Sequence, residues 1–152
     1  MRRGVRIGVD VGKARIGVSR SDPDGMLALP VETVRRVADG TDIARIRDLA
    51  TEYEAIEVIV GLPLSLSGAS TPSTDDATAF ASRLGSACAL PVRLVDERLS
   101  TVTAQAGLRA AGRTTRNSRS VVDQAAATVI LQHALDAERS SGSPAGTLVD
   151  SE

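Results

Sequence analysis

One cysteine, one histidine, one phenylalanine, one tyrosine and no tryptophan occur in 152 residues, and each shortage removes a class of function. Cys88 alone cannot form an internal disulfide framework or a cysteine-based zinc site, and His133 alone cannot build a histidine-rich metal centre. Any metal must therefore sit on carboxylates, and all-oxygen ligation selects hard ions such as Mg2+ or Mn2+. With Tyr53 and Phe80 as the only aromatics, a stacking platform for single-stranded nucleic acid is excluded, and recognition would run through phosphates. No apolar run reaches membrane-spanning length, and Arg2 and Arg3 lead into an alternating strand rather than an apolar stretch. These features predict neither a membrane span nor a secretory signal, and a cytoplasmic location. A chain of this length with 42% hydrophobic residues is expected to form one domain.

What is present is concentrated in Val5 to Ser19, VRIGVDVGKARIGVS. Val5, Ile7, Val9 and Val11 alternate with Arg6, Gly8 and Asp10, the period of a strand, and after Gly12-Lys13 a second alternating run can fold back as a hairpin. Asp10 falls on the face opposite the valines. Gly8, Gly12 and Gly17 leave that face nearly bare, as close approach of a ligand or phosphate would require.

The net charge is −1, but the signs are segregated. Residues 1–20 and 98–119 together carry 11 of the 18 basic groups and 1 of the 19 acidic ones, which predicts a basic face toward phosphates and an acidic back.

Along the chain, the pattern predicts a third strand over 26–34, at an edge because of Pro30. It predicts an amphipathic helix over 41–53 capped by Asp39 or Thr41, and a buried strand over 56–60. A helix follows from Thr71-Pro72-Ser73, with Ser73 and Asp76 at capping-box spacing, running to about Cys88. A fifth strand is expected over 92–95, a helix over 100–111, a loop over 112–119, a last helix from Ser120, and a disordered tail over 139–152. Helical crossovers favour parallel pairing, while the first three strands are joined too tightly to be other than antiparallel. The expectation is an α/β fold, a mixed five-stranded sheet with helices on both faces.

In such sheets, sites collect beyond the C-terminal ends of parallel strands. Asp10 and either Asp96 or Glu97 end two of them, and alternation alone does not choose between the neighbours. Asp123, if the last helix packs back over the sheet, would be a third acid. It also has the spacing from Ser120 of a simple helix cap. Three acids suit one or two Mg2+ ions, which would lower the pKa of an attacking water and stabilise the leaving oxygen in phosphodiester hydrolysis. His133 lies ten residues past Asp123, about 15 Å along a helix, too far to assist. Cys88 has no histidine partner and reads as a helix-end residue.

Four blocks, DVGKARIGVS (10–19), VGLPLSLSG (60–68), DERLSTVTAQ (96–105) and VDQAAATVILQ (122–132), together resemble the RuvX (YqgF) family of RNase H-like nucleases. The resemblance runs from about residue 4 to 136. It implies an RNase H-like domain over 1–138 with strand order 3-2-1-4-5 and strand 2 antiparallel. It also implies an acidic triad of Asp10, Glu97 and Asp123 holding Mg2+ or Mn2+ as two ions, which favours Glu97 over Asp96. The expected activity is Mg-dependent endonucleolytic cleavage of structured nucleic acid, either processing of the pre-16S ribosomal RNA end or resolution of four-way DNA junctions. Lys13, Arg15, Ser65, Arg98, Arg113, Arg116 and Arg119 are the implied nucleic-acid contacts, Ser65 standing where family members often have Asn. A monomer or a homodimer is expected, and symmetric junction cutting would need the dimer. Two other classes compete: a noncatalytic RNA-binding module, disfavoured because all three acids are present, and an actin-like ATPase suggested by Asp10-Val11-Gly12. The ATPase would need two such domains.

Overall fold

A computed structural model describes residues 1–97 and 115–149, and of residues 115–120 the backbone only. In chain order the elements are β1 (Arg6–Val11), β2 (Arg15–Ser21), β3 (Ala28–Arg35), α1 (Thr41–Glu52), β4 (Glu57–Leu62), α2 (Pro72–Cys88), β5 (Val92–Asp96), α3 (Thr115–Ser141) and β6 (Thr147–Leu148). The sheet order is β3-β2-β1-β4-β5-β6. β1, β4 and β5 run parallel, and β2, β3 and β6 each pair antiparallel with their neighbours. The expected order is found, extended by one strand.

Central position explains why β1 is not half-buried as its alternation suggests: Arg6, Ile7, Gly8 and Val9 are all buried. Ile7 and Val9 join Ile46, Leu49, Phe80 and Leu84 in a core between the sheet and the α1–α2 face. Ile59, Ile130, Leu131 and Leu135 form a second core under α3. Phe80 is fully buried, with the Arg36 and Arg83 guanidinium groups 5.3 and 5.6 Å from its ring centre.

The bare face of the hairpin is covered by this protein's own helix, not left open for a ligand. A Cβ at Gly8 would stand 2.8 Å from Leu131 Cβ and 3.0 Å from the Ala127 carbonyl oxygen, and one at Gly17 only 1.8 Å from the Asp123 carbonyl oxygen. Ser19 Oγ donates to the Ala127 carbonyl at 2.8 Å between these seats. The small residues let α3 lie directly on the strands.

Four local expectations are revised. α1 starts after Gly40 in the left-handed conformation, and the Asp39 carboxylate accepts from Thr41 N without being the cap itself. The capping box of α2 is Thr71 with Thr74, because Pro72 takes the first helical position, and this leaves Asp76 to pair with Arg36 at 2.5 Å. α3 begins at Thr115, within the stretch read as a loop. A run of polar residues excludes burial, not helical backbone, and neither glycine nor proline interrupts 113–141. Finally, two elements fall within the stretch read as a disordered tail. The helix runs to Ser141, and β6 pairs Leu148 with Arg93 and Thr147 with Leu94, its backbone bonds sheltering chain that pattern alone had left unassigned. The helix expected over 100–111 lies outside the described residues.

The charge segregation also divides differently. Arg2 and Arg6 turn to the end of the sheet away from Asp10, where the buried carboxylates of Glu57 and Glu138 take them up. Arg93 joins through Glu57 at 3.2 Å. The basic groups of residues 1–20 thus serve both ends of the strands and make no single basic face.

Candidate active site

Three strands contribute one row across the sheet on the α3 face. Asp10 on β1 is the register partner of Gly17 on β2, and Gly61 on β4 stands one residue past the Val9–Val60 pair. The acid is therefore flanked by two glycines, and each seats one of the other two acids. Over Gly17 lies the Asp123 main chain. Over Gly61 lies the Glu97 carboxylate, with Oε2 2.0 Å from where a Cβ would stand. Two strand spacings, roughly 10 Å, separate β1 from β5. Glu97 closes that gap by reaching back across the bare β4 position, its own N–H anchored to the Leu62 carbonyl at 3.3 Å.

Glu97 is 9% exposed whereas Asp96 faces solvent, so the pair that alternation leaves open is separated by geometry. Asp10 and Glu97 are linked through their side chains, and like charges so close disfavour each other's ionisation. Both hold protons above the ordinary carboxylate range. Burial raises Asp10 to about 6, helped by the Asp123 charge and opposed by the bond to Glu97. Burial raises Glu97 to about 8, helped by the charge and hydrogen bond of Asp10 and by the charge of Asp96. Glu97 Oε2 is buried with no hydrogen-bond partner among the described residues.

Asp123 stands nine residues into α3 and does not cap it. Its Oδ2 accepts from Arg15 Nε at 2.7 Å. Among the described residues no group of three carboxylate, histidine or cysteine side chains is assembled as a cation site: two acids face each other and the third is held by an arginine. The donor set still fits a hard divalent cation. It is all oxygen, Glu97 is buried with Asp10 and Asp123 half-buried beside it, the acids repel one another, and among the described residues one Glu97 oxygen is left without a donor.

Of the implied nucleic-acid contacts, Lys13 is exposed in the β1–β2 turn and Arg15 borders the site. Ser65 lies in the loop after β4, where its hydroxyl is engaged within the loop by Ser67 Oγ at 2.8 Å and Ala69 N at 3.1 Å. Arg98 and Arg113 lie outside the described residues, and Arg116 and Arg119 belong to the part of α3 described by backbone alone. A further arginine, Arg35 on β3, is the register partner of Arg15, a juxtaposition that depends on the hairpin register and has no signal in the local sequence. Cys88 is half-buried and burial pushes its thiol up, which does not suit a nucleophile.

A mixed sheet of this order, with acids at the ends of β1 and β5 and a helix returning a third over them, is a fold of the RNase H-like class. The fold agrees with the solved structure of Thermus thermophilus RuvC in complex with a Holliday junction substrate. That likeness has a TM-score of 0.57 at 17% identity and covers 93% of this chain and 98% of that one. The chain belongs to the RuvX family, described as Holliday junction resolvase, whose profile matches residues 4–137. Relatives named "Putative pre-16S rRNA nuclease" include one from Clavibacter michiganensis subsp. michiganensis, 61% identical over 98% of this chain and 93% of its own length. Another, from Leifsonia xyli subsp. xyli, is 58% identical over 99% of this chain and 97% of its own. Among the described residues no helix is long and apolar enough to cross a membrane.

Proposed function

We propose that this chain is a divalent-cation-dependent endonuclease for structured nucleic acid, with Asp10, Glu97 and Asp123 as its acidic set and the precursor end of 16S rRNA as its substrate. The observation that carries the reading is the buried Asp10–Glu97 pair with an orphaned Oε2, an arrangement that costs stability unless a cation uses it. The names of the relatives support the ribosomal RNA substrate. Asp10 and Glu97, joined by Asp123, would hold Mg2+ or Mn2+, which supplies Lewis-acid activation of water and neutralises charge on the leaving oxygen. The chain's own part is positional. β1 fixes Asp10 at the centre of the sheet, the Gly61 seat sets Glu97 against it, and the raised hold of both carboxyls on their protons means that cation binding must compete with protonation. Lys13 and Arg15 supply cationic contacts for the phosphate backbone beside the acids.

A four-way DNA junction is the second substrate, favoured by the family description and by the RuvC fold. Labelled precursor rRNA and a labelled junction, each incubated in Mg2+ or EDTA, separate the two. Cutting is expected in Mg2+ only, and Asp10→Asn is expected to reduce it at least about 100-fold. Because Asp10→Asn removes a buried like charge, the same variant should unfold later than wild type in EDTA at pH 8, by about 1–2 kcal/mol or roughly 3–6 °C in Tm. Retained binding without cutting by the wild type would move the assignment to a noncatalytic RNA-binding module.

A further inference from the structure

We propose that Arg15 is a latch between substrate seating and completion of the acidic site. A nucleic-acid phosphodiester bound between Arg15 and Arg35 draws Arg15 off Asp123 and frees that carboxylate to join Asp10 and Glu97. The inference rests on the nuclease reading and assigns Arg35 as a phosphate contact.

Arg15 opens β2, Arg35 closes β3, and the two are register partners. Directly opposed residues of an antiparallel pair project on the same face with Cβ atoms about 5 Å apart, and like charges so placed destabilise the pair unless an anion lies between them. The two arginines line an open cleft of about 430 Å³ with Ala14 and Thr33. The Arg35 side chain is exposed and, among the described residues, makes no hydrogen bond or ion pair, and there Arg15 spends only its Nε, on Asp123. A phosphate that takes the Nε–Nη edge of the Arg15 guanidinium in the bidentate manner it favours therefore competes directly with Asp123 for Nε.

Exchange of partners is energetically easy. The Arg15 side chain is 38% exposed and that of Asp123 17%, and an ion pair so open to water contributes on the order of 1 kcal/mol or less. A charge-assisted contact with phosphate is at least as strong. No helix needs to move, because the Asp123 main chain is already seated over Gly17, beside Asp10. Only the aspartate side chain has to turn. In the absence of substrate the same ion pair withholds the third acid, so the cation is held weakly until a phosphate backbone arrives. The coupling is reciprocal by linkage, and divalent cation must tighten nucleic-acid binding by the same factor.

The test uses the full chain and three proteins: wild type, Arg15→Gln and Arg35→Gln. Mn2+ binding without nucleic acid is followed by the electron paramagnetic resonance of free Mn2+. Binding of a fluorescent RNA hairpin is followed by anisotropy in EDTA and in Ca2+. Arg15→Gln should tighten Mn2+ about tenfold, whereas Arg35→Gln, which removes an equal charge but leaves the Asp123 contact intact, should change it less than about twofold. Ca2+ should tighten hairpin binding by wild type about tenfold and by Arg15→Gln hardly at all, and Arg35→Gln should weaken the hairpin in both conditions. Equal effects of the two substitutions on Mn2+ would reduce the contact to general electrostatics and overturn the latch, as would Ca2+ coupling that survives in Arg15→Gln. If wild type cuts in Mg2+ while the coupling survives, only the latch falls. If wild type neither binds Mn2+ nor cuts, the nuclease reading falls with it.

Discussion

Glu138→Gln is expected to lower stability at pH 7 by about 3–5 kcal/mol, read as a shift in the urea midpoint. The carboxylate accepts from Arg2 N, Nε and Nη2 at 3.2, 3.1 and 2.7 Å and from Arg6 Nη2 at 3.1 Å. Arg6 is 1% exposed, and its Nε already lacks a partner among the described residues. Its remaining guanidinium contacts are the carbonyls of Gly4 and Arg2, so amidation leaves a buried cation without a counter-charge. Titration should show the same contact. The Arg2 guanidinium, helped by Arg6, holds the Glu138 carboxyl down at about 2, against an ordinary value of 4.5. Between those values the unfolded chain binds a proton that the folded chain does not. The stabilisation is therefore complete above about pH 4.5 and is lost as pH falls toward 2. The difference in unfolding free energy between wild type and Glu138→Gln should shrink by about 3 kcal/mol across that window.

Gly17→Ala and Gly61→Ala should fail in different ways, although both add one methyl group to the same row. At Gly17 the methyl meets main chain, the Asp123 carbonyl oxygen at 1.8 Å, and α3 must lift off the sheet to admit it. A loss of about 3 kcal/mol or more is expected, with cleavage reduced because Asp123 moves away with its helix. At Gly61 the methyl meets the ends of two side chains, Glu97 Oε2 at 2.0 Å and Ile130 Cδ1 at 2.7 Å, which can swing aside. Stability should fall by only about 1 kcal/mol, while cleavage drops at least about tenfold because Glu97 is turned from Asp10. Thermal unfolding and cleavage assays on the two variants separate a fold defect from a site defect.

The period-two runs and the glycine and proline breaks made the strands, their pairing sense and the place of Asp10 at the end of β1 readable, because these features depend on neighbours in sequence, whereas the order of strands across the sheet came with the family resemblance. Glu97 needed the family resemblance, since adjacent strand residues face opposite ways and only the fold says which way is in. What stayed hidden depends on contacts distant in sequence. The glycines announced a close approach, but nothing local says that the visitor is α3, more than 100 residues on. Arg2 and Arg6 count toward a basic face in the sequence because Glu57 and Glu138, their actual partners, come together only when the strands and α3 align. α3 starts earlier than the pattern predicts because polar residues exclude burial and not helix, and β6 gives no signal because two residues are too few for a period.

The added strand has a consequence for assembly. A sheet edge is a row of unspent backbone donors and acceptors, open to any extended segment that meets it. β6 covers part of β5 with two residues only and shows side chains exposed on both, too short a stretch to template another chain. At the opposite border β3 carries Pro30 and a register irregularity against β2, and the Ala28 N–H is taken by the Gln132 side chain at 2.9 Å. Among the described residues both margins of the sheet are thus blunted, which disfavours continuing one sheet into the next as a way for two copies to meet.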